Sequence, residues 1–109
     1  MVVNVCPAAA TTATPDEVWA ILTTPTRFGE WADAEYVWSE PSGPIKPGQS
    51  VHLTARGLGR RWPVTIDVRD IDPRHRWLDL LVHLPFGVKN YNHITLGARP
   101  DGGTLVRFN

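Results

Sequence analysis

Residues 51–69 read Val-His-Leu-Thr-Ala-Arg-Gly-Leu-Gly-Arg-Arg-Trp-Pro-Val-Thr-Ile-Asp-Val-Arg. Two alternating runs flank a Gly-Leu-Gly turn. Successive strand side chains point to opposite faces, so Val51, Leu53 and Ala55 share one face against His52, Thr54 and Arg56. Beyond the turn, Trp62, Val64, Ile66 and Val68 oppose Thr65, Asp67 and Arg69. The pattern is an antiparallel hairpin with one apolar and one wet face, as in a sheet covered on one side.

The same period continues outward from this hairpin. Strands are predicted over Glu35–Glu40, Gln49–Arg56, Arg61–Ile71, Trp77–Leu84, Val88–Ala98 and Thr104–Phe108. Turn residues separate them: Pro41-Ser42-Gly43-Pro44 with Pro47-Gly48, Gly57-Leu58-Gly59, Asp72-Pro73-Arg74-His75, Pro85-Phe86-Gly87 and Pro100-Asp101-Gly102-Gly103. Every connection is short enough for one continuous meander. In the strand from Trp77, the set Leu78, Leu80, Val82 and Leu84 makes the better inner face. Each inner aliphatic side chain contributes about 1.5–3 kcal/mol when fully buried, provided that something covers it.

Two strands read less simply. Tyr36 and Trp38 share one face of the Glu35–Glu40 segment, and the pattern leaves open which side that is. In the Val88–Ala98 segment, keeping Val88, Ile94 and Leu96 inside also brings Asn90 and Asn92 inside. A buried carboxamide without partners costs about 1–3 kcal/mol, so these two either pair with backbone or water or orient a bound molecule. The alternative is a bulge that turns them outward and Tyr91 and His93 inward.

Upstream of the meander the period is helical. Val2, Val3 and Val5 open a β-prone stretch running to about Ala13. Thr14-Pro15-Asp16-Glu17 then has the chemistry of a helix start: a capping hydroxyl, proline at the first position and two carboxylates at the positive end. A helix is predicted over Pro15–Leu22, ended by Thr23-Thr24-Pro25, and a short second helix over Thr26–Trp31. Two such short helices cannot cover the whole apolar face.

Composition narrows the function. A chain of 109 residues with 42% apolar residues suits one domain, residues 1–109. Eleven basic residues balance eleven acidic ones, so no overall field draws the chain to nucleic acid or to an anionic membrane. The chain has no apolar run near the roughly 20 residues that span a bilayer, and its start lacks a positive leader region, which predicts a cytoplasmic protein. Cys6 stands alone and is read as structural; the four histidines lack metal-ligand spacing, so neither metal nor cofactor is expected. Nine arginines and 19 Pro plus Gly residues carry a compositional bias associated with bacterial genomes.

The order of elements resembles a known family. A strand, the Ala13-Thr14-Pro15-Asp16-Glu17-Val18-Trp19 helix start, the Arg27-Phe28-Gly29-Glu30-Trp31 segment and then a meander are similar to the START-like (SRPBCC, polyketide cyclase/dehydrase-like) superfamily. Gly48, the turn from Asp70-Ile71-Asp72-Pro73 to Arg76-Trp77-Leu78, and the Gly103-Thr104 opening of the last strand extend the match over essentially the whole chain. The resemblance implies an α+β helix-grip fold, a curved antiparallel sheet of six to seven strands with two short helices after the first. It also implies an apolar cavity between that sheet and a long C-terminal helix. The sequence stops at Asn109 without such a helix, which would need about 17 residues to span a groove of roughly 25 Å. The expectation is a C-terminally truncated domain, or a homodimer in which a second copy covers the open face.

Candidate site residues follow from the inner face. Trp31, Trp38 and Trp62 are wall candidates, because an indole offers wide apolar contact and one polar edge, although tryptophans at such positions commonly serve as plain core. Leu53, Val64, Ile66, Leu80 and Val82 supply the floor, and Asn90 and Asn92 the polar contacts. Asp67 with Arg69, and Asp79 with His83, look like acid-base pairs but fall on the outer face with His52 and His93, where solvated charge pairs are the ordinary reading. With no nucleophile elbow, phosphate loop or buried acid identified, no catalytic residue can be named. The leading expectation is binding of a small hydrophobic or aromatic molecule, lipid or polyketide-like. A polyketide aromatase/cyclase and a protein-interaction module are the alternatives.

Overall fold

A computed structural model of the chain describes residues 8–32 and 34–108. The start of the predicted first strand, with Cys6, lies outside them. Strand β1 spans Ala8–Thr11, helix α1 Pro15–Leu22, and a 3-10 helix Pro25–Glu30. The strands β2 (Glu35–Glu40), β3 (Ser50–Gly57), β4 (Arg60–Asp72), β5 (Trp77–His83), β6 (Lys89–Ala98) and β7 (Thr104–Phe108) follow. They form one antiparallel sheet in the order β1-β7-β6-β5-β4-β3-β2. It is the expected α+β helix-grip sheet.

Helix α1 begins as its sequence dictates. The Thr14 hydroxyl accepts from the Glu17 amide at 3.3 Å, and Pro15 occupies the first turn. At its other end the Thr23 hydroxyl donates to the Trp19 carbonyl at 2.7 Å, and Pro25 prevents continuation. The short second helix predicted over Thr26–Trp31 is present as a 3-10 helix over Pro25–Glu30. Its Phe28 is fully buried.

One sheet face carries the core. Val51, Leu53, Val64, Ile66, Val68, Leu78, Leu80, Ile94 and Val106 cluster with Val18, Leu22 and Phe28 from the helical segment. Burial follows a gradient along the strands. Val51 and Leu78 are fully buried, whereas Ala55, Trp62 and Val82 are only half-buried and Leu84 is exposed. The short helices shelter one end of the inner face and leave the other open.

Two bulges interrupt the register. In β2 the pairing shifts between Tyr36 and Trp38, so that Tyr36 pairs with Leu53 while Trp38 pairs with His52. The two aromatics therefore lie on opposite faces, contrary to the alternation expected of an unbroken strand. In β4 the shift falls between Val68 and Asp70. No shift occurs in β6, where Asn90 pairs with Val82 and Asn92 with Leu80. Cross-strand partners share a face, so both asparagines point inward and Tyr91 and His93 outward.

The outer face pairs its charges across strands. His83 Nε2 lies 2.6 Å from Asp67 Oδ2, and Ser50 Oγ donates to Asp67 Oδ1 at 3.0 Å. Asp79 is bound to His93. The couples Asp67–Arg69 and Asp79–His83 are thus replaced, because Asp79 of β5 stands directly opposite His93 of β6, while Asp67 of β4 reaches His83 of β5.

Three hairpin turns place a non-glycine residue at positive φ, Leu58, Arg76 and Phe86. Gly57 pairs with Arg60 around Leu58 at φ 53° and Gly59 at φ 70°, a two-residue turn of type I′. At the β5–β6 connection Phe86 has φ 67° and Gly87 φ 74°. The left-handed region costs an ordinary L-residue about 1–2 kcal/mol, which is why asparagine or glycine usually occupies it.

Candidate functional site

The open end of the inner face forms a concavity of about 360 Å3. Its floor is Leu53, Ala55, Val64 and Ile66 on β3 and β4, with Val82 and Leu84 on and just past β5. One wall is Trp31, Ala32 and Ala34, the segment joining the 3-10 helix to β2; on the opposite side stand Asn90 and Asn92 of β6, and Phe108 closes the ring. The volume lies within the range of small-molecule sites, and the composition, an apolar lining with a few polar groups, is the usual one for them.

Each wall has a local cause. Trp31 caps the 3-10 helix, its amide donating to the Phe28 carbonyl at 3.2 Å, and its ring lies tilted on Phe28 with centroids 5.0 Å apart. That anchorage turns the indole toward the sheet. Its Nε1–H is buried and finds no acceptor among the described residues. Asn90 is exposed and Asn92 half-buried, so their carboxamides meet the concavity rather than the packed core.

Of the ten expected site residues, seven line this concavity: Trp31, Leu53, Val64, Ile66, Val82, Asn90 and Asn92. Leu80 does not. It is fully buried beneath the covered end and serves as core. Trp62 keeps the inner face but stands beyond the rim, where Nε1 donates to the Gly57 carbonyl at 2.9 Å and the ring meets Phe86 at 5.2 Å. Trp38 is a correction. The β2 bulge turns it outward, 48% exposed and stacked on His52 at 4.2 Å.

Five lining residues were not among the ten: Ala55 and Leu84, which the alternation placed on the inner face without naming them as site residues, and Ala32, Ala34 and Phe108. The inner-face parity of β7 could have indicated Phe108, which pairs with the fully buried Ile94. Nothing comparable marks Ala32 and Ala34, whose role depends on how the chain enters β2. Among the described residues the lining contains no ionisable side chain.

Known structures share this architecture. Ara h 8.0201 superposes with a TM-score of 0.70 at 15% identity, over 94% of this chain and 71% of its own. A Rhodobacter sphaeroides protein gives 0.66 at 20% identity, covering 94% of this chain and 70% of its own. The solution structure of a Cytophaga hutchinsonii protein gives 0.60 at 20% identity, over 100% of this chain and 79% of its own. At such identities the likeness is one of fold. No curated protein matches. Among the described residues no helix is long and apolar enough to cross a membrane. Residues 8–109 match the family described as polyketide cyclase / dehydrase and lipid transport, and with nearly its whole length inside that match, and the START-like sheet and helices in place, the chain belongs to this family.

Proposed function

We propose that the chain binds a small hydrophobic molecule in the concavity, with Asn90 and Asn92 holding a polar group at one end. The observation that carries this is the lining itself: aliphatic and aromatic side chains on three sides and two carboxamides on the fourth. An apolar guest would be driven in by the area it removes from water. A carbonyl or hydroxyl entering beside Trp31 would also give the indole N–H the acceptor it lacks among the described residues. Lipid transport in the family's description fits this chemistry. The described lining residues, apolar side chains with two carboxamides, suit binding, whereas a cyclase would need a positioned acid or base.

Titration with the apolar dye anilinonaphthalene sulfonate tests this, beside native mass spectrometry of the purified chain. Val82 is half-buried on the floor, so Val82→Trp has room to fill the concavity. It should weaken dye binding at least about tenfold, equivalent to about 1.4 kcal/mol, while unfolding stays cooperative. Equal binding by this variant would place the dye elsewhere and remove the proposal. For a co-purifying ligand with a polar head, Asn92→Ala should weaken binding about two- to tenfold, the span of one neutral hydrogen bond.

A further inference from the structure

The two most exposed large apolar residues among those described are Leu58, 93% exposed, and Phe86, 86% exposed. They occupy the tips of neighbouring hairpins at the same end of the sheet, where Phe86 rests on Trp62 of β4. Both sit at positive φ, in positions that turn geometry would assign to asparagine or glycine. Leu58 gains almost nothing from intramolecular burial to offset that strain.

Cations gather around the tips. Arg56, Arg60 and Arg61, with Gly57 and Gly59, surround a surface depression of about 340 Å3. The Arg60 guanidinium also lies over the Trp62 ring at 4.9 Å, and Lys89 stands at the foot of the other hairpin. Among the described residues one carboxylate, Glu35, approaches this group, 3.9 Å from Arg56 and 3.8 Å from Arg61. Although the whole chain is formally neutral, this edge is locally basic. Leu84 lines the concavity and leads directly into Pro85-Phe86-Gly87, so the tips adjoin its rim.

We infer that this edge docks on an anionic phospholipid bilayer, Leu58 and Phe86 entering the interface while the arginine-lined depression takes a headgroup phosphate. Apolar side chains flanked by arginine and lysine are what such an interface selects: each inserted side chain leaves water, and each cation meets a negative surface potential. Guanidinium groups match phosphate geometry with paired N–H donors. The inference rests on the concavity being a site for an apolar guest and identifies the surface from which that guest would be exchanged. A nucleic acid offers phosphates too, but nothing that would take up the aliphatic Leu58.

Co-sedimentation with vesicles tests it, using phosphatidylcholine alone and phosphatidylcholine mixed with phosphatidylglycerol. The native chain should sediment with the mixed vesicles and stay in solution with the neutral ones. The double variant Leu58→Asn with Phe86→Asn should lose at least about tenfold in vesicle affinity. Asparagine suits positive φ, so its thermal midpoint should hold or rise, movement opposite to that of a merely damaged fold. Arg60→Gln and Lys89→Gln should each cost about fivefold. Absence of vesicle binding by the native chain, binding untouched by the double variant, or binding to a short RNA but not to vesicles would each overturn the inference. Dye uptake separates the two proposals: it should persist in the double variant, whereas its loss from the native chain would discredit the concavity and leave the sedimentation result standing by itself.

Discussion

Replacing Leu80 by alanine is expected to lower the unfolding free energy by about 2–5 kcal/mol. Leu80 is fully buried, pairs with Val68 on one side and Asn92 on the other, and belongs to the cluster that joins the sheet to Val18, Leu22 and Phe28. Truncation removes transfer free energy and leaves a void that a sheet held on both flanks cannot close. Urea unfolding should show an earlier midpoint at an unchanged slope. A loss below about 0.5 kcal/mol, typical of surface positions, would mean that this end of the sheet is not packed as described.

Gly103→Ala should be the second severe lesion, at about 1–3 kcal/mol. A methyl group there would run into the Thr11 carbonyl oxygen and lie 3.2 Å from the Thr12 Cα, both backbone atoms with little room to yield. The site is confined from several directions. The Gly103 amide donates to Asp101 Oδ1 at 2.9 Å, and the next residue, fully buried Thr104, donates its hydroxyl to the Ala13 carbonyl at 2.8 Å. Relief of the clash would draw β7 away from the short strand β1, whose pairing spans Ala8–Thr11. Amide exchange should accelerate first across that pair. By contrast Gly97→Ala, a change to a position with open space around it, should be nearly neutral. Equal effects at the two glycines would argue against the close approach.

The strands were legible because their cause is local. Val51, Leu53, Val64 and Ile66 alternate with His52, Thr54, Thr65 and Asp67, and a strand with one dry face needs no other information to declare its period. The α1 start was equally plain, since Thr14, Pro15, Asp16 and Glu17 act on amides within the same turn. Six segments separated by proline and glycine turns implied the meander, and the chain folds into it with every neighbour antiparallel.

What escaped the sequence depended on register. A bulge displaces one residue in one strand, and no composition marks Val37 as the point where β2 slips, yet that slip decides that Tyr36 faces the core and Trp38 the solvent. Asn90 and Asn92 were open to two placements until their pairing with Val82 and Leu80 put them inside. The partners of Asp67 and Asp79 likewise changed, because side chains on one face choose neighbours across strands rather than along them.

By itself the sequence determined the class of fold, the helix start and the apolar identity of the inner face, all properties set by residues within one turn or one strand of each other. Only the tertiary structure decided which part of that face is core and which is a concavity, and that two strained tips share an edge with three arginines. The physical reason is reach: a short helical segment shelters what lies beneath it, and where it lies relative to a curved sheet is fixed by packing between elements distant in the chain.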